Sequence, residues 1–374
     1  MIEIACAAAG HNNARRMRVN SQSVEAVCGD AVSEVLAAGI YATGLQLYVE
    51  HAGSVAFDDA AGRCADRQLD RRSLHSGYCL TKPLLSVGLA LLVDAGQLTF
   101  DDHVRAIDDG IWWVDRETRV RDVLSHDAGL DKPPAMTWRM TTVESRASLL
   151  EMGTRGRPAY SEIAGWLAIE RIVESIVGQT AGEFLHDALI GPLGLEDGLF
   201  MTSPRALQAL ADGRVLVPVG GLPVEEVPLL SELLPCQVGE ARPAFGGLVS
   251  MSAMGRFYTA LKDVLSGACR TGLPSPETLA RLVESRNDPR WDGVLRKTCA
   301  FAGGFMSHFA DHGVSGLSGN AIGHVAGVSN AIAFCDPEVD VALALYLNGV
   351  SLNADDLMLG RQLVVQRIIG ALEP

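Results

Sequence analysis

Strand-type sequence stands at both ends of this chain and is scarce between them. Near the start, GLQLYVEHAGSVAF from Gly44 to Phe57 reads as two short strands around the turn His51-Ala52-Gly53, apolar and β-branched on either side, which is a hairpin pattern. After Phe301 the same pattern returns in FAGGFMSHF, GHVAGVSNAIAF and DVALALYLNG, each bounded by Gly, Asn, Asp or Pro, and a helix is predicted from Ala354 to Leu372. The middle is helical. Leu84, Leu85, Val87, Leu89, Leu91, Leu92 and Val93 recur at helical spacing, with Pro83 where an early turn tolerates it and Gly96 as a stop, so a buried helix is predicted there. A second, amphipathic helix is predicted from Ile163 to Val177, closed by Gly178. Strands at the two ends share a sheet only if the ends of the chain come together. The expected architecture is therefore α/β plus α: an antiparallel sheet flanked by helices, built from residues 1–78 and 296–374, with a mostly helical inserted domain over 79–295. A length of 374 residues suits two or three domains.

Charge narrows the function. Lys and Arg number 31 against 45 Asp and Glu, a formal charge of −14, and a surface of that sign repels phosphate backbones and anionic headgroups. Neither a nucleic acid nor a membrane is an expected partner. The longest apolar run, Val87 to Val93, falls far short of the ~20 residues of a spanning helix. The first residues, MIEIACAAAGHNNARRMRVNS, carry no basic flank ahead of their apolar part, which is a poor export signal, so a cytoplasmic location is expected. The eight cysteines show no CxxC pairing, which speaks against a zinc site or a disulfide scaffold and predicts that most are buried. With no metal cluster, Gly-rich phosphate loop or flavin motif, no cofactor is implied.

The chemistry starts at Cys79-Leu80-Thr81-Lys82, which opens the long buried helix. Residues three apart share a helix face, so the sulfur and the ammonium can meet near the helix N-terminus, where both the dipole and the cation favour thiolate. Such a pair also arises by chance, and most cysteines are simply core. Tyr160 taken alone reads as a packing aromatic, and His324 as a hydrogen-bonded loop histidine. The same bland reading holds for Trp112, Trp113, Trp138 and Trp291, which otherwise line a substrate cleft.

The wider sequence changes the weight of these residues. CLTKPLLSVGLALLVDAGQL resembles the Ser-x-x-Lys motif and following hydrophobic helix of the penicillin-recognising serine enzymes, in the branch of class C β-lactamases, D-alanyl-D-alanine carboxypeptidases, related esterases and a transacylase of statin assembly. Four further stretches match in order: ETRVRDVLSHDAGL at 117–130, the segment opening AYSEIAGWL at 159–195, PAFGGLVSMSAMGRF at 243–257, and IGHVAGVSNAIAFCDPEVDVALALYLNG at 322–349. The resemblance implies Cys79 as nucleophile, Lys82 as its charge partner and proton acceptor, and Tyr160 as proton shuttle, with Lys82 expected to lower the Tyr160 pKa. It also implies an oxyanion hole from the backbone N–H groups of Cys79 and Gly327, and places His324 at the Lys or His of the third motif, bordering the substrate. His126 falls outside this catalytic set.

Three positions depart from the family pattern. Cys79 stands for the serine, Glu162 for the asparagine of Tyr-x-Asn, and Ala326 for a glycine of the third motif. A carboxylate at 162 cannot donate to a substrate amide unless protonated, and is expected instead to hold Lys82 charged. The Ala326 methyl is expected to reshape the substrate pocket, so Glu162, Ala326 and His324 form the expected substrate-binding set. A thiolate leaves more readily than an amide nitrogen, which disfavours amide cleavage and favours ester or thioester donors. The expected activity is transfer of an acyl group through acyl-Cys79 to an amine or hydroxyl acceptor in small-molecule biosynthesis, the donor including carrier-protein- or coenzyme A-linked forms. An esterase or thioesterase, or an inactive binding homologue, are the alternatives.

Overall fold

A computed structural model describes residues 21–38, 43–64, 67–130, 152–216, 243, 246–284, 288–326, 330–348 and 354–372. Helix α1 (Ser21–Ala38) leads into β1 (Gly44–His51) and β2 (Ser54–Cys64), the hairpin expected from sequence. Its turn residues Ala52 and Gly53 hold φ at 52° and 79°, the left-handed pair that matches the twist of a two-residue hairpin. Short strands β3 (Arg67–Gln68) and β4 (His75–Ser76) follow, then helix α2 (Lys82–Asp94), helix α3 (Ala164–Val177), β5 (Leu199–Phe200), β6 (Leu248–Val249) and helix α4 (Met251–Leu265). Strands β7 (Arg290–Asp292), β8 (Lys297–Ala302), β9 (Phe305–Ser307), β10 (Ile322–Ala326), β11 (Ala331–Asp336) and β12 (Val341–Asn348), and helix α5 (Ala354–Leu372), complete the chain.

Among the described residues the main sheet runs β3-β2-β1-β12-β11-β10-β9-β8-β7, antiparallel at every paired step. The first and last strand groups meet at β1 and β12, from Gly44 opposite Asn348 to His51 opposite Val341. β12 is buried along its whole length because both faces are covered. Val341, Leu343, Leu345 and Leu347 point toward α1 and α5, packing with Val24, Cys28, Val364 and Ile368. Ala342, Ala344 and Tyr346 point the other way, where α4 lies across β1, β11 and β12. Small alanines on that face let the helix approach closely, and Gly255 of α4 sits where a Cβ would lie 2.0 Å from the Tyr48 ring. Thus α4, from within the stretch expected to be helical insertion, covers a sheet face, and β7 joins the sheet edge.

Helix α2 is apolar on nearly all sides and buried accordingly against α3. Helix α3 ends at Gly178 with φ 72°, the left-handed C-cap its sequence predicted. Of the described cysteines, Cys28, Cys64, Cys79, Cys299 and Cys335 are buried and Cys269 is exposed. No described helix is long and apolar enough to cross a membrane.

Candidate active site

Cys79 does not stand inside the long helix, as the spacing predicted. It lies in a 3₁₀ turn, Tyr78–Thr81, that precedes α2. Pro83 is the physical reason. It has no N–H to give the Cys79 carbonyl, and its ring would collide with that carbonyl in an α-helix. The Cys79 carbonyl accepts from the Lys82 N–H instead, tightening the turn. Side chains three apart stand above one another in a 3₁₀ turn, so the change of helix type keeps Cys79 and Lys82 together. The turn is held on several sides. Gly77 N–H donates to Gly247 O at 2.8 Å, Thr81 Oγ1 donates to Tyr78 O at 2.8 Å, and Tyr78 holds φ at 42°, a region that bulky residues seldom occupy.

Strand β10 packs directly against this turn. His324 shares its strand face with Ile322 and Ala326, the face turned toward the helices. From the third direction comes the segment leading into α3, which carries Tyr160. Residues 79, 82, 160 and 324 are thereby brought together at the junction of sheet and helices. Cys79 is 8% exposed, Tyr160 6%, and Lys82 and His324 are fully buried. The Lys82 ammonium lies 6.0 Å from the centre of the Tyr160 ring and 5.7 Å from that of Trp166, where the ring faces favour its charge. The Tyr160 and His324 rings are 6.2 Å apart.

The Tyr160 hydroxyl hydrogen-bonds the Cys79 sulfur, and its pKa is raised well above the usual phenol value. Burial is the main cause, followed by the negative charge that Cys79 and Glu162 place beside it. The expectation that Lys82 lowers this pKa is therefore overturned: loss of water outweighs the nearby cation, and Tyr160 is held as a neutral O–H donor. Glu162, half-buried, acts on the phenol by raising its pKa.

His324 lies on a strand rather than in a loop. Its Nδ1 meets the Val325 carbonyl at 2.9 Å, and since a carbonyl only accepts, Nδ1 carries the proton and Nε2 the lone pair. Burial and then the Lys82 charge push its pKa down to about 3, so the ring is neutral. Ala326 ends β10, fully buried, its carbonyl accepting from Arg361 of α5 at 3.3 Å. Gly327 and Trp138 lie outside the described residues. Trp113 is buried with its indole N–H on the Ala164 carbonyl, while Trp112 and Trp291 are exposed. Among the described residues no group of His, Cys, Asp or Glu side chains is arranged to hold a metal.

Sequence reasoning named His126 but set it outside the catalytic set, and it passed over Phe301 and Trp166. His126 and Phe301 lie against Tyr160, with ring centres at 4.7 and 5.6 Å, and Trp166 faces Lys82. Signals existed for His126, in the matched stretch at 117–130, and for Trp166, on the amphipathic α3; Phe301 becomes a neighbour only through tertiary packing.

The chain overlays a penicillin-binding protein homologue from Caulobacter crescentus with a TM-score of 0.72 at 19% identity, covering 93% of this chain and 97% of that one. A family VIII carboxylesterase gives 0.73 at 16% identity, covering 92% and 97%. EstCE1, described as a hydrolase with promiscuous acyltransferase activity, gives 0.71 at 15% identity, covering 94% and 99%. At such identities the likeness carries the fold. No curated protein sequence matches the chain. The beta-lactamase family model, however, matches residues 32–366, nearly the whole described molecule, and the chain belongs to that family.

Proposed function

We propose that this protein is an acyltransferase working through an acyl-Cys79 thioester. The observation that carries the reading is the convergence of a buried cysteine, a buried lysine and a phenol hydrogen-bonded to the cysteine sulfur, from two segments about 80 residues apart. With the thiol proton already held by Lys82 as an ammonium, the Cys79 thiolate attacks the carbonyl carbon of an ester or thioester donor, forming a C–S bond. Backbone N–H groups, those of Cys79 and Gly327 in this reading, steady the negative oxygen of the adduct. The adduct collapses by breaking the bond to the donor's alkoxide or thiolate, which takes a proton from Tyr160. A phenol whose pKa is raised suits a strongly basic leaving group. In the second half an amine or hydroxyl attacks the thioester, its proton returns to Tyr160, and the sulfur leaves, again paired with Lys82.

The sulfur supports transfer over peptide or lactam hydrolysis. An amide adduct on sulfur reverts by expelling the thiolate, whereas a thioester once formed is readily taken by amines. The Glu162 carboxylate, where a neutral amide donor is the family pattern, supports the same choice. His324 with its unprotonated Nε2, together with Glu162 and Ala326, borders the substrate in this reading. A small-molecule donor, including carrier- or coenzyme A-linked thioesters, a small-molecule acceptor in biosynthesis, and a cytoplasmic setting complete the proposal. No cofactor enters the cycle.

Intact-protein mass spectrometry tests it. The protein and a Cys79→Ala variant are mixed with a panel of acyl thioesters, esters and a penicillin, with and without an amine. An adduct labile to hydroxylamine, absent from Cys79→Ala and discharged faster by amine than by water, is the expected result. Discharge by water alone makes the protein an acylhydrolase, and no adduct from any donor refutes the catalytic role of Cys79.

A further inference from the structure

His126 takes hold of Tyr160 from three sides. Its backbone carbonyl accepts the N–H of Ala159 at 2.9 Å, its Nδ1 accepts the N–H of Ser161 at 2.9 Å, and its ring lies against the phenol at a centroid distance of 4.7 Å. The two amides on either side of Tyr160 are thus bound by one residue. The pairing extends outward, with Gly156 N–H on the Asp127 carbonyl at 2.7 Å. His126 makes both contacts from a left-handed backbone, with φ at 55°. Phe301 of β8 closes the stack, 4.4 Å from the imidazole and 5.6 Å from the phenol.

The hydrogen bond to Ser161 also fixes the state of the ring. An amide N–H only donates, so Nδ1 carries the lone pair and the proton sits on Nε2. Burial, and then the neighbouring His324 and Lys82, hold the imidazole pKa well below its usual value. Protonation would set a second donor against the Ser161 N–H.

We propose that His126 is the positioning residue of Tyr160, its neutral Nδ1 and its carbonyl together fixing the phenol against the Cys79 sulfur. The proposal rests on the role given to Tyr160 above, and its test needs no acyl donor. His126→Phe keeps an aromatic ring beside the phenol but leaves the Ser161 amide without an acceptor. His126→Asn keeps an oxygen near the place of Nδ1, and asparagine tolerates the left-handed backbone. The readout is the rate of iodoacetamide alkylation of Cys79, followed by peptide mass, in the wild type, in both variants, and in the same variants carrying Tyr160→Phe.

A hydrogen bond to a charged group is worth about 1.5–3 kcal/mol, so losing the phenol's contact slows Cys79 alkylation in His126→Phe by on the order of tenfold or more. His126→Asn restores most of the rate. In the Tyr160→Phe background the His126 substitutions change nothing further, because the phenol through which they act is gone. The proposal is overturned if His126→Phe lowers thermal stability and leaves the alkylation rate unchanged, or slows it equally with and without Tyr160. Should His126→Phe fail to fold, His126→Ala, which also lacks a side-chain acceptor, is read in the same way. Absence of an acyl adduct in the wild type refutes acyl transfer and leaves this result intact.

Discussion

Removing the ammonium of Lys262 tests the contact that ties α4 to the sheet. Lys262 Nζ lies 2.5 Å from Glu50 Oε2 and 2.7 Å from Asp340 Oδ1, with the Lys262 and Glu50 side chains only 2% and 3% exposed. Burial raises the Glu50 pKa above its ordinary value even with the lysine pulling it down; burial works the other way on Lys262, but the two carboxylates together outweigh it and leave its pKa raised. Lys262→Met leaves Glu50 buried beside a thioether. Breaking one side of a buried ion pair costs about 3–5 kcal/mol, since the remaining charge keeps its desolvation penalty without its partner. At about 2 °C per kcal/mol for a chain larger than 150 residues, the melting temperature falls by roughly 6–10 °C at pH 8.

The pH dependence identifies the cause. A carboxyl whose folded pKa exceeds its unfolded value costs stability once pH rises through the unfolded value, and the cost is complete above the folded one. In Lys262→Met the folded pKa of Glu50 rises further, so the variant is weakest near neutral pH. It approaches the wild type as pH falls below the carboxylate range, where Glu50 is protonated in both states. Glu50→Gln in the same molecule removes the stranded charge and recovers much of the loss. Thermal and urea unfolding at pH 8 and pH 5 are the assays. A melting deficit that is the same at both pH values, or a double variant whose loss is the sum of the single losses, refutes this reasoning.

Further outcomes follow from the site and the core. Tyr160→Phe removes the donor to the Cys79 sulfur, and turnover of the best acyl donor falls by about 10²- to 10⁴-fold in kcat/KM, measured by steady-state kinetics. His324, with a pKa pushed down to about 3, stays neutral throughout the working range, so His324→Gln leaves the positions of the limbs in the kcat/KM profile between pH 5 and 8 where they were. Gly255→Ala drives a methyl into the Tyr48 ring and lowers stability by about 1–3 kcal/mol in urea unfolding, while the rate of Cys79 alkylation in the folded protein is unchanged.

Local pattern made much of the framework legible. The alternation in GLQLYVEHAGSVAF needed only a left-handed turn at Ala52-Gly53 to become β1 and β2, and α5 occupies Ala354–Leu372 as its apolar spacing required. Burial of the described cysteines other than Cys269 followed the expectation from their unpaired spacing. Fine geometry was less legible. Pro83 is plain in the sequence as a helix-start residue, yet the same missing N–H sets Cys79 in a 3₁₀ turn, a consequence one bond further than periodicity reaches. The Tyr160 pKa was misjudged in direction because the charge of Lys82 is written in the sequence and the loss of water around the phenol is not.

By itself, the sequence determined the family, the strand and helix types, and the spacing that keeps Cys79 within reach of Lys82, because each depends on residues close together in the chain or on motifs in fixed order. Tertiary structure alone decided which charges are buried, which tautomer each imidazole adopts and how Tyr160 is held. These depend on water excluded and on amides supplied by distant segments: His324 donates to a strand carbonyl, His126 accepts from the Ser161 amide, and the phenol stays neutral between them. A side chain's chemistry is set by its solvation and hydrogen-bond partners, and those exist only once the chain has packed.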